Sequence, residues 1–348
     1  MKYALGIRPR PDGFSLVELM IAMTISLFLL IGIASVTITH STSSRELEKT
    51  SRQIETGRYA MQVVGDDLTL AGFYGTFSPK GATISTPDPC ATAVGNLGFD
   101  NASSPVAVPA PVYGYVGGAV SPTCLANRLA GTGIVVVRRV SSTAIAAASA
   151  LAGETYVQAS GCDSDPKVFV IDTNSASFTL HQKDCTAIAP LRSYLVRVYY
   201  VGSCNVCSGG NADTTPTLKV AEFTGGAINI VPLAEGVQDL QSDYGIDLDN
   251  DGSADCYVAD PGVDNAATCG TGWPKAPGWS GPLQNWGNIV TVRLHVLARN
   301  VDQTSDWTDA RTYDMGLAGI TAAANDHYKR HTYSAVLRVA NVAGMREQ

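Results

Sequence analysis

The hydrophobic pattern of this chain changes twice between its two ends. From Phe14 to Ile38 nearly every residue is apolar and Glu18 is the only charge. A helix over that run would be about 37 Å long, enough to cross a bilayer with some tilt. From Ser44 the composition turns polar, yet Leu47, Ile54, Met61 and Leu68 recur every seven residues. Thr50, Gly57, Val64 and Ala71 lie three residues after each of them. The spacing predicts one helix continuing to about Ala71, its apolar stripe edged by small residues and laid against a body. Proline is absent until Pro79 and Gly72 is a natural stop, while Gly57 and Gly65 are weak helical positions.

Past Gly72 the period falls to two. The segments 133–140, 167–172, 193–201, 218–223, 288–299 and 333–341 read as strands. In the fifth, Val290, Val292, Leu294 and Val296 point one way, and Thr291, Arg293 and His295 the other, as in a half-buried antiparallel strand. The connections 78–130, 203–216 and 252–287 are longer than ordinary loops and need function or staples. The fold class predicted is therefore α+β: a long N-terminal helix, transmembrane in its first half, packed on an antiparallel β-sheet with long disulfide-tied loops.

Composition adds direction. Lys2, Arg8 and Arg10 precede the apolar run, and no Lys or Arg follows until Arg45. That asymmetry keeps the start of the chain in the cytoplasm and exports the body. All eight cysteines (Cys90, Cys124, Cys162, Cys185, Cys204, Cys207, Cys256 and Cys269) lie on the exported side, which suits disulfides. Connectivity is open from sequence alone. Pairing neighbours (90 with 124, 162 with 185, 204 with 207, 256 with 269) closes short loops without crossing. A formal net charge of -7 gives no reason to expect a nucleic-acid partner.

The order of the N-terminal signals is unlike a secretory signal peptide, in which the cleavage site follows the apolar core. Here a basic leader, MKYALGIRPRPDG, ends in Gly13 and the apolar run comes after it. The sequence G-FSLVE ahead of an apolar helix resembles the N-terminal signal of type IV pilins and type II secretion pseudopilins. The stretches at 58–75, 237–255, 288–300 and 331–344 further resemble PilW-type minor pilins. That resemblance implies cleavage by prepilin peptidase after Gly13 and N-methylation of Phe14. It makes Glu18 the residue that sets register between packed helices by pairing with the Phe14 α-amine of its own or a neighbouring subunit. It divides the chain into a cytoplasmic leader (1–13), a transmembrane or filament-core half-helix (14–38), an amphipathic half-helix (39–72) and a periplasmic globular domain (73–348). The implied partners are the lipid bilayer before assembly, the inner-membrane assembly platform, and other minor and major pilins. The implied role is priming pilus assembly at or near the tip, within the machinery of motility and cell adhesion; the alternatives are a type II secretion pseudopilin or a Ca²⁺-dependent pilus-borne adhesin. A lone carboxylate in lipid needs a partner, which gives Glu18 a physical reason to pair.

Three features of the body carry candidate chemistry. In DLDNDGSAD, Asp247, Asp249, Asp251 and Asp255 surround Gly252, a spacing that can offer oxygens to Ca²⁺. The twelfth place is Val258 rather than Glu, so this is not an EF-hand; the alternative is a solvated acidic turn. Cys204-Asn-Val-Cys207 has redox spacing, but it follows a strand and enters a Gly-rich tip, which reads as a structural staple. Trp273, Trp279 and Trp286 share a Pro/Gly loop, where they either form a binding surface or cap the edge of a core. For catalysis the sequence offers nothing: the five histidines have no evident partners, and GWSGP lacks the last Gly of a nucleophile elbow.

Overall fold

A computed structural model describes residues 13, 15–117, 121–270, 273 and 282–347. The chain divides into two compact units, Met1–Ser51 and Arg52–Gln348.

Helix α1 runs from Leu16 to Leu70. Its start is capped by its own carboxylate: the Ser15 N–H donates to Glu18 Oε2 at 3.0 Å, the reciprocal half of a capping box. From Leu16 to Ile38 the large apolar side chains are exposed. The hydroxyls of Thr24, Thr37, Thr39 and Thr42 donate to carbonyls one turn back, so these groups are satisfied within the helix.

The second unit holds the rest of α1 and every strand. In chain order these are β1 (Thr83–Ser85), β2 (Ala107–Pro109), β3 (Val112–Tyr115), β4 (Ile134–Val140), β5 (Tyr156–Ala159), β6 (Phe169–Asp172), β7 (Leu191–Gly202) and β8 (Thr217–Thr224). They continue as β9 (Ala227–Glu235), β10 (Val237–Ile246), β11 (Cys256–Val258), α2 (Ala266–Cys269), β12 (Ile289–Arg299), β13 (Tyr313–Asp314), β14 (Ile320–Thr321), β15 (Arg330–Arg338) and α3 (Ala340–Arg346). Two antiparallel sheets dominate. One has the order β11-β10-β12-β15; the other runs β3-β4-β7-β5-β6, with β8 and β9 continuing from β7.

The face of α1 that enters this core is the small-residue edge. Gly57, Ala60, Val64, Gly65 and Leu68 are buried, whereas Ile54 is 42% exposed and Met61 only half-buried. Leu47, in the first unit, is exposed. The expected stripe 47-54-61-68 is thus corrected: the buried face is rotated toward the glycines, because a sheet lies closer where side chains are small. A Cβ on Gly57 would sit 2.1 Å from the Tyr333 ring, and one on Gly65 3.2 Å from Leu337. The match is geometric. Eight helical residues rise about 12 Å and four strand residues about 13 Å, so two notches on α1 receive two knobs on one face of β15.

The seven-stranded sheet is covered on both sides. Val135 and Val137 join the core shared with α1 and the four-stranded sheet, while Ile134, Val136 and Val140 join a second core with Tyr74, Leu97 and Leu125. The long 78–130 connection supplies that second cover, stapled by Cys90–Cys124. The last predicted strand needs correction. Pairing ends as the Val339 N–H donates to Val290, and residues 340–346 coil into α3, which buries Val342 and Ala343.

Candidate functional site

The N-terminal candidates sit at the mouth of α1. Gly13 is described and non-helical; Phe14, the methylation candidate, lies outside the described residues. Glu18 is exposed, and its carboxylate already holds the Ser15 N–H. One oxygen therefore serves the helix start, where the positive end of the macrodipole also favours an anion.

In the aspartate loop, carboxylate oxygens of Asp247, Asp249 and Asp255 lie within 4.8 Å of one another. Asp247 is buried, and its oxygens accept the Asn250 N–H at 2.7 Å and the Gly252 N–H at 3.0 Å. Asp249 and Asp255 are exposed. Asp251 is not part of this group; it accepts the Ser253 N–H at 2.7 Å. A guanidinium is also present. Arg346 of α3 lies 3.3 Å from Asp247 Oδ2 and donates to Asn250 Oδ1 at 2.7 Å. The loop thereby fastens the C-terminal helix, a link the aspartate spacing does not announce.

Of the tryptophans, Trp286 is buried and packs against Tyr113, tilted at 4.3 Å, and Tyr244, edge-on at 5.1 Å between centroids. Trp273 is also buried, and both belong to the core shared by α1 and the sheets. These two indoles cap a core and present no binding surface; Trp279 lies outside the described residues. The eight cysteines pair in chain order, Cys90–Cys124, Cys162–Cys185, Cys204–Cys207 and Cys256–Cys269, with none free.

Sequence reasoning missed the buried polar groups. Asp67 of α1 is 3% exposed and faces the seven-stranded sheet. It accepts from Arg139 at 2.8 and 3.0 Å, from Arg197 at 3.0 Å through both oxygens, and from the Tyr199 hydroxyl at 2.6 Å. Burial, and then the facing Asp67 carboxylate, push the Tyr199 phenol up. The only sequence signal was an acid one residue before a core leucine on the same helix face. The histidines also need correction. His181 Nδ1 meets Asp165 at 2.8 Å, and His295 lies between Ser334 (2.8 Å, Nδ1) and Asp243 (3.3 Å, Nε2). The second set has Ser-His-Asp composition but acts as a tie. It crosses β15, β12 and β10, and Asp243 also accepts the Leu317 N–H at 3.0 Å, holding the turn at 316–318.

Residues 198–341 match the family model described as Type IV Pilus-assembly protein W, and residues 8–34 match the Prokaryotic N-terminal methylation motif. The first match spans β8 to β15 with the end of β7; the second spans the Gly13–Glu18 stretch and the apolar run. No curated protein and no solved structure matches the chain.

Proposed function

We propose that this chain, a type IV pilin-like protein of the PilW type with an apolar helix long enough to cross a membrane, is a minor pilin that primes assembly at or near the pilus tip. The observation that carries the proposal is the methylation motif set on an apolar helix whose side chains are exposed along residues 16–38. Cleavage after Gly13 would free the Phe14 α-amine one helical turn from Glu18. Transfer of this helix from lipid to a core of like helices gains little hydrophobic energy, so packing and the Glu18–amine pair decide register. The body is carried on the periplasmic side and then on the pilus, and the role is structural.

The test is the mass of the N-terminal peptide from membranes and from sheared filaments. The expected result is a peptide starting at methylated Phe14 in both fractions. Methylated Phe14 confined to membranes would instead favour a type II secretion pseudopilin. An intact leader in both would overturn the reading.

For the aspartate loop we propose Ca²⁺ held by Asp247, Asp249 and Asp255. Their converging oxygens support it. Calorimetric titration of the chelator-treated chain with Ca²⁺ should show one site, lost in Asp249→Asn. Absence of binding at millimolar Ca²⁺, the weak end for extracellular modules, would leave the loop an Arg-latched turn.

A further inference from the structure

Lys219 is a buried cation that forms no salt bridge among the described residues. It stands on β8, is 6% exposed, and donates to the Asn205 carbonyl at 3.1 Å. Its ammonium also lies 3.3 Å from Cys207 Sγ. Asp213, the acid whose charge opposes that burial, accepts the backbone N–H groups of Asn205, Val206 and Thr215 and forms no salt bridge with Lys219 among the described residues. Burial lowers the Lys219 pKa, with Asp213 opposing. A buried ammonium lacking an anion is costly. The disulfide sulfur facing it carries no charge, but the thiolate formed on reduction would.

We propose that Cys204–Cys207 is a thiol-exchange site, opened by a partner thiol and reclosed by a partner disulfide, with Lys219 as the positioning residue that stabilises the Cys207 thiolate. Access favours Cys207, which is half-buried between exposed Val206 and Ser208, whereas Cys204 is buried. A partner thiolate attacks Cys207 Sγ, the S–S bond breaks, and Cys204 leaves and takes a proton. A second thiolate attacks the partner sulfur of the mixed disulfide, releasing the oxidised partner and Cys207 as thiolate beside Lys219. Two thiols are oxidised to one disulfide, and the protein disulfide is reduced to one thiol and one thiolate. In reverse, the Cys207 thiolate attacks an incoming disulfide. A cation beside a cysteine lowers its pKa and makes it the better leaving group. Among the described residues, no lysine or arginine donates to a sulfur of the other three disulfides; Cys90 Sγ, for example, accepts a backbone N–H from Cys124.

The test uses the full chain in detergent, equilibrated across ratios of reduced to oxidised glutathione, then acid-quenched, alkylated and mapped by peptide mass. Cys204 and Cys207 should be labelled at a ratio that leaves the other six cysteines paired. Lys219→Met should shift the midpoint about tenfold toward reducing conditions, the equivalent of one pKa unit on the thiolate, and Lys219→Arg should retain most of the wild-type value. Opening of the pair with or after the others, or an unmoved midpoint in Lys219→Met, would overturn the proposal. Should Lys219→Met not fold, the alkylation rate of Cys207 against pH in Cys204→Ser decides. A half-maximum well below the ordinary thiol value of about 8.5 supports the site, and one at or above it overturns the site.

Discussion

Asp67→Ala should cost the body about 3–5 kcal/mol, the range for breaking a buried ion pair by removing one partner. The mechanism is the state left behind. Arg139 and Arg197 would lose the carboxylate between them, and Tyr199 its acceptor at 2.6 Å. Arg197 would keep Glu222 at 2.7 Å, but among the described residues Arg139 would retain only the Val140 carbonyl at 3.3 Å. Helix propensity works the other way and is too small to matter, since Asp to Ala gains at most about 0.7 kcal/mol. Urea unfolding of the detergent-solubilised chain, followed by the fluorescence of buried Trp273 and Trp286, measures the difference. A loss under about 1 kcal/mol would mean that the cluster is solvated. Pairing Asp67→Ala with Arg139→Met should recover part of the loss, because the double variant removes the stranded charge along with its partner.

What the sequence made legible follows from what periodicity can encode. The apolar helix, its boundary near Gly72 and five strand positions are local patterns, and each appears within a few residues of its expected place. β10 escaped because a central strand usually shows apolar alternation, and this one carries Gln238, Asp239, Gln241 and Asp243. Those polar groups are tolerable only through partners distant in the chain, such as the Gly131 carbonyl for Gln241 and His295 for Asp243. The same limit hid Asp67. An acid on a helix reads as a solvated face until Arg139 and Arg197 are known to lie opposite. Conversely, Gly57 and Gly65, weak points by propensity, are the positions that let β15 approach. The N-terminal motif was legible because it is contiguous, whereas the aspartate loop was only half legible. Spacing brought three carboxylates together but gave no sign of Arg346 arriving from 99 residues beyond Asp247 in the sequence.

Arg330→Met should destabilise the body by a similar amount, about 3–5 kcal/mol at neutral pH, and the loss should shrink in acid. Arg330 is 4% exposed at the start of β15. It meets Asp326 through two bonds of 2.6 Å, Asp309 at 3.1 Å and Gln238 at 2.7 Å. Asp309 is fully buried; burial raises its pKa, but hydrogen bonds from Tyr313, Arg311 and Arg330 outweigh that and hold it below the ordinary carboxylate value. The Arg330 hydrogen bond does the same for Asp326. Both folded pKa values therefore lie below the unfolded value of about 3.9. Below that value the unfolded state binds more protons, so the stabilisation is complete above about pH 4 and is lost as the pH falls through the folded values. Removing Arg330 takes from ionised Asp309 its buried cation and leaves it the half-exposed Arg311 and the Tyr313 hydroxyl; once it is protonated, a neutral acid beside that hydroxyl has far less to lose. The difference between wild type and Arg330→Met, measured by urea unfolding at pH 7 and pH 3, should thus be smaller at pH 3. An equal difference at the two pH values would show that Arg330 acts by packing alone. The cluster joins Gln238 of β10, Arg330 of β15 and the 309–326 segment outside them, so its acid sensitivity would be felt first where the four-stranded sheet holds that segment.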